Sequence, residues 1–69
     1  MDTERLELGL FLKLARTRAG LTQREMALPA GTTAPYISHL ECGRNRPSPE
    51  LLRRLLKVLS VDMDPSETA

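Results

Sequence analysis

The sequence has almost nothing with which to brace itself covalently: Cys42 is its only cysteine, so no disulfide can form within the chain. A lone thiol suits a reducing compartment such as the cytosol. Histidine is equally scarce. His39 is the only one, and with neither a second His nor a second Cys in the chain to complete a site it is not read as a metal ligand. No metal or other cofactor is therefore expected. The scattered carboxylates, one imidazole and one thiol form no nucleophile–base pair, so the chain is not read as an enzyme. Long apolar runs are missing as well; the longest are a few residues, far short of the roughly 20 that cross a bilayer. The opening Met1-Asp2-Thr3-Glu4 is acidic, unlike a signal peptide. These absences point to a cytoplasmic protein with no membrane partner.

What is present is a chain of 69 residues, 41% of them apolar, as expected of one small globular domain. Such a chain buries only roughly 60% of the surface its unfolded form exposes, so it must rely on tight helix packing or on a partner. The formal net charge is only +1, but its distribution is uneven. Between Lys13 and Lys57 stand nine basic residues against three acids, while Asp2, Glu4, Glu7, Asp62, Asp64 and Glu67 lie in the end segments. A basic middle between acidic ends is the footprint of a surface that meets phosphates, although many solvated helices are basic and bind nothing.

Helix signals follow one another along the chain. Leu-rich spacing of three and four from Glu4 to Thr17 predicts a first helix, closed near Ala19-Gly20 by a glycine able to turn left-handed. Thr22-Gln23-Arg24-Glu25 reads as a capping box opening a second helix. That helix is expected to be short, because Pro29 cannot bond the Glu25 carbonyl and pushes Leu28 away from helical angles. Gly31 marks a turn, and Thr32 or Thr33 caps a third helix reaching about Glu41, with Ile37 and Leu40 inward. Pro35 disfavours helical angles at Ala34, which favours a start one residue late. After Gly43 comes a basic loop, Arg44-Asn45-Arg46-Pro47. Ser48-Pro49-Glu50 then opens a fourth helix to about Leu59, with Leu52, Leu55, Leu56 and Leu59 on one stripe and Arg53, Arg54 and Lys57 on the other. The expected class is all-α: a compact bundle of four to five short helices over residues 1–61, followed by a polar tail or linker at 62–69.

Two short helices joined by a tight glycine turn make a helix-turn-helix, whose second helix enters the major groove of DNA. Ala27 supplies the small residue where such helices cross, Gly31 the turn, and Ile37 and Leu40 the inner anchors. The stretch Leu8-Gly9, Leu12, Arg16, Gly20-Leu21-Thr22-Gln23-Arg24-Glu25-Met26-Ala27, Gly31-Thr32-Thr33, Tyr36-Ile37-Ser38 and Leu40-Glu41-Cys42-Gly43-Arg44-Asn45-Arg46-Pro47-Ser48 resembles the Cro and phage-repressor (XRE) type of helix-turn-helix domain, which is lambda-repressor-like. The resemblance covers about residues 7 to 61. It implies duplex DNA as the ligand and a role in transcription regulation.

The same resemblance implies roles for single residues. Gln23 looks like the family's phosphate-contacting glutamine, and a helix N-terminus also offers free N–H groups to an anionic oxygen. Arg44, Asn45 and Arg46 follow the recognition helix and are expected along one strand's backbone; the alternative is a solubilising loop. Thr33 and Tyr36 are expected to reach sugar-phosphate. Base edges fall to Ala34, Pro35, Ser38 and His39, which lie opposite Ile37 and Leu40. Better-known members often carry Gln where Ala34 and Pro35 stand, so a bidentate Gln–adenine contact is lost here. Ala34 can still touch a thymine methyl, Ser38 and His39 can bond base edges, and DNA shape can supply the remainder. Arg16 and Glu41 match a pair that forms a structural ion pair in the family. Cys42 reads as an inert thiol rather than a redox sensor.

One feature is in surplus. Leu8, Leu12 and Ala15 already form the core-facing stripe of the first helix, yet Leu10, Phe11 and Leu14 add a second, and Leu51 and Val58 are similarly in excess on the fourth. These five are a candidate interface or, alternatively, extra core beneath the terminal segment. The expected function is sequence-specific binding of double-stranded DNA by a regulator, with residues 33–42 in the major groove, as a homodimer on a palindromic operator. The alternative is an antitoxin or adaptor whose main ligand is a partner protein, such as a toxin or another regulator.

Overall fold

A computed structural model describes residues 3–59, and among these there are four helices and no strand. Helix α1 spans Thr3–Arg18, α2 Gln23–Ala30, α3 Ala34–Glu41 and α4 Pro49–Leu59. The proposed tail at 62–69 lies outside the described residues.

The starts of α2, α3 and α4 and the stops of α1, α2 and α3 are written locally. Thr22 caps α2: its hydroxyl accepts the Glu25 N–H at 3.0 Å, and the Glu25 carboxylate accepts the Thr22 N–H at 2.8 Å. Thr33 caps α3 by accepting the Tyr36 N–H at 3.3 Å, and Ser48 caps α4 by accepting the Leu51 N–H at 3.1 Å. The ends of α1, α2 and α3 are alike. In each, a glycine and the residue after it donate back to the carbonyls three and five residues upstream, as Gly31 does to Leu28 and Thr32 to Ala27, both at 3.0 Å. That closure needs left-handed backbone, and Gly31 supplies it with φ of 76°.

Helix α2 is short, as expected, at eight residues, and it carries Pro29 within its last turn. Proline breaks a helix by depriving a carbonyl of its donor, but here it stands in the last turn. The deprived residue, Glu25, is exposed, and solvent can satisfy its carbonyl. One local expectation is corrected: helix α3 starts at Ala34 rather than one residue later. Pro35 is its second residue, where no intrahelical donor is required and the Thr33 cap sets the entry.

The helices close on a core of Leu12, Met26, Ala27, Ala30, Ile37, Leu40, Leu55 and Leu59, all buried. Burying one such Leu, Ile or Met side chain contributes about 1.5–3 kcal/mol. Helix α3 packs against α1 and α2, and α2 also packs against α4. Ala27 is fully buried. Gly9 is the close-approach point between α1 and α3: a Cβ there would meet the Leu40 carbonyl oxygen and stand 2.8 Å from that of Glu41. The surplus apolar residues divide. Leu51 and Val58 are half-buried and pack against the core cluster, as the extra-core alternative has it. Leu10 and Leu14 are each 54% exposed and Phe11 40%.

Candidate nucleic-acid interface

Helix α3 turns Ile37 and Leu40 into the core, which leaves its other side outward. Of the four residues assigned to base edges, Pro35 and His39 are exposed while Ala34 and Ser38 are half-buried. Tyr36 is half-buried with its ring against the core, so only part of its side chain faces outward. Thr33 is exposed at the helix start. A shallow cleft of about 240 Å³ separates α2 from the first turn of α3, lined by Arg24, Ala27, Leu28, Thr32, Thr33, Ala34 and Pro35. Arg24 has no assigned role in the sequence reading. Its position, one residue past Gln23 at the start of α2, is the local signal for it.

What holds α3 at its angle is a polar node at its last residue. Arg16 donates from Nε to Glu41 Oε2 at 2.7 Å and from a terminal nitrogen to Oε1 at 3.2 Å, and also to the Leu21 carbonyl at 2.8 Å. Gln23 donates its amide N–H to Glu41 Oε1 at 3.0 Å. One carboxylate thus ties α1, α2 and α3 together. It is well shielded, with side-chain exposure of 4% for Glu41 and 15% for Arg16. Arg16 and Gln23 both meet Glu41 from far along the chain, 25 and 18 residues away; the family resemblance implies the first contact, and no signal in the sequence marks the second. The amide keeps a second N–H beyond the one given to Glu41, and the backbone N–H groups of the first turn of α2 stand beside it.

The basic loop flanks the other end of α3. Gly43 and Pro47 are buried and anchor it, Arg44 and Arg46 are exposed, and Asn45 is half-buried. The Arg44 carbonyl accepts from Arg5 at 3.4 Å. Arg46 reaches Glu4 at 2.7 Å, with the two side chains 57% and 79% exposed. A pair that exposed holds weakly, so a phosphate can compete for the guanidinium. Gln23, Arg24, Thr33, Pro35, His39, Arg44 and Arg46 thus belong to three consecutive stretches of chain: the α2 start, α3 with its cap, and the loop after it.

Among the described residues no group of three His, Cys, Asp or Glu could hold a metal ion, and none of their helices is long and apolar enough to cross a membrane. Cys42 is exposed at the end of α3.

Comparison with known proteins agrees with the geometry. Residues 7–69 match the family model of a helix-turn-helix domain. A protein described as an uncharacterized HTH-type transcriptional regulator, from two strains of Mycobacterium tuberculosis, is 31% identical over 88% of this chain and 51% of its own length. The ImmF control region 10 kDa protein of Bacillus phage phi105 is 34% identical over 84% of this chain and 64% of its own. The chain therefore spans about half the length of the mycobacterial relatives. No solved structure gives a significant match.

Proposed function

Because this chain belongs to the helix-turn-helix domain family, we propose that it binds duplex DNA in sequence-specific fashion as an XRE-type transcriptional regulator in the cytoplasm. The observation that carries the reading is the outward side of α3, flanked by polar and cationic groups from the α2 start and the following loop. In this reading α3 enters the major groove. Pro35 and His39 face base edges, with Ala34 and Ser38 behind them. Gln23, Arg24, Thr33, Tyr36, Arg44, Asn45 and Arg46 contact phosphates, which position the domain without reading sequence. Because Ala34 and Pro35 lack hydrogen-bonding side chains, His39 carries the polar readout and DNA shape carries much of the remainder.

Two copies related by a two-fold axis would present their α3 helices to successive major grooves, about 34 Å apart, on a palindromic operator. Selection from a pool of random duplexes tests this directly. The expected result is an enriched site of two inverted half-sites, with His39→Ala shifting preference at one base pair in each. A pool with no enrichment, and no affinity for duplex in dilute buffer, would overturn the reading.

The names of the relatives, HTH-type transcriptional regulator and phage control region protein, support regulation by DNA binding. A second reading, a module that holds a partner protein such as a toxin or another regulator, draws on the exposed apolar side chains of α1. Duplex binding by the purified chain alone separates the two.

A further inference from the structure

The side of α1 turned away from the core is apolar, and no other described residue covers it. Leu6 is 41% exposed, Leu10 and Leu14 54%, and Phe11 40%, and a shallow apolar depression opens at Phe11, Leu14, Ala15 and Arg18. Four exposed apolar side chains on one short helix form a patch of the kind that marks an interface. What occupies it is indicated by its charges.

Leu6, Leu10 and Leu14 are four apart along the face, Leu10 and Leu14 well out from the core and Leu6 at its edge against Gly43. Down one flank run Glu7, Phe11, Leu14 and Arg18 at helical spacing, with an acid at the N-terminal end and a base at the C-terminal end. On the other flank Lys13 also belongs to the C-terminal half. Glu7, Lys13 and Arg18 are all exposed. A face that is acidic at one end, basic at the other and apolar between is complementary to its own image turned end for end. Pairing two such helices in parallel would set Glu7 against Glu7 and Arg18 against Arg18. Antiparallel pairing sets each acidic end beside a basic end, and it opposes the two helix dipoles.

We propose that the outward face of α1 is a self-complementary docking surface for a second copy of this chain, packed antiparallel about a two-fold axis near Leu10. Leu10 then meets the partner's Leu10 and Leu6 meets the partner's Leu14, which lays the basic C-terminal half of each helix alongside the acidic N-terminal half of the other. This gives the two-fold pair of the preceding section a contact surface. It rests on that reading only for the existence of the pair, not for DNA. The helix of 16 residues is about 24 Å long, and four apolar side chains cover less than the ~800 Å² per partner of a standard interface. The free dimer is therefore weak, with a dissociation constant roughly micromolar or above.

The test needs no DNA. Sedimentation equilibrium from roughly micromolar to millimolar protein should show a reversible dimer for wild type. L10E should weaken it roughly tenfold or more with an unchanged thermal midpoint, because Leu10 is outside the core. Cysteine cross-linking fixes the direction, in a C42S background because Cys42 is exposed. L10C should link to itself, and L6C mixed with L14C should link to each other in preference to themselves. Monomeric wild type throughout, or L10E dimerising as wild type does, would overturn the proposal. So would L6C linking to itself as readily as to L14C, which means a parallel pair. L10C that neither links nor reacts with a small thiol reagent also overturns it, because the face is then covered by the chain's own residues. A wild type that dimerises yet enriches no duplex would sink the DNA reading and leave this one standing.

Discussion

At Gly9 two opposed effects meet in one position. Exchanging an interior helix glycine for alanine normally gains up to about 1 kcal/mol. Here the added methyl would run into the backbone carbonyls of Leu40 and Glu41, which cannot swing aside as a side chain would. Overpacking of that kind costs ~1–3 kcal/mol, so the clash wins and Gly9→Ala lowers the urea midpoint. At Glu41 the balance is electrostatic. Glu41→Ala strands the Arg16 guanidinium in a site that leaves it 15% exposed, and breaking a shielded pair from one side costs on the order of 3–5 kcal/mol, nearer the lower figure for a partner with some access to water. Replacing both partners, Arg16→Met with Glu41→Leu, is expected to recover most of that loss in the same denaturation experiment. A double variant as unstable as the sum of the single ones would mean the two groups do not act as a unit.

Single helices answer to their caps. Thr22→Ala removes one side of the capping box and should cost about 1 kcal/mol. Gly31→Ala forces a Cβ into left-handed backbone, at φ of 76°, for roughly 1–2 kcal/mol. Both are read from thermal melts followed by circular dichroism, and both should leave the difference between matched and scrambled duplexes intact if the fold is otherwise retained. It was at this scale that the sequence was most readable. The Thr22 and Ser48 caps, the glycine stops and the inward pair Ile37 and Leu40 are all written in neighbouring residues. Pro29 keeps α2 short without ending it early, because the breaking rule belongs to helix interiors and this proline occupies the last turn. Gly9 and the Gln23–Glu41 hydrogen bond were not readable in this way. Each depends on a partner far along the chain, and no window of neighbouring residues contains both. Leu51 and Val58 were indistinguishable by pattern from Leu10 and Leu14, since only packing decides which apolar stripe is covered.

For the molecule as a whole, a net charge of +1 hides a field that is strongly basic in the middle. Its measurable trace is the dependence of DNA affinity on salt, about 0.9 log unit per log unit of salt for each phosphate neutralised. Arg44→Ala should reduce that slope by roughly one such step on every duplex alike, whereas His39→Ala should leave it unchanged. Equal slopes for Arg44→Ala and wild type in a fluorescence anisotropy titration would remove Arg44 from the contact surface. The node at Glu41 also has a genetic consequence, because the orientation of α3 is borrowed from α1 through Arg16. If α3 reads an operator as proposed, a screen for loss of operator occupancy in living cells should collect alleles at Arg16 and Gly9, neither of which lies on the outward side of α3. Those alleles should be conditional, silent in the cold and defective when warm. Lesions at His39 should fail at every temperature, so growth temperature alone would sort the residues that aim α3 from those that read with it.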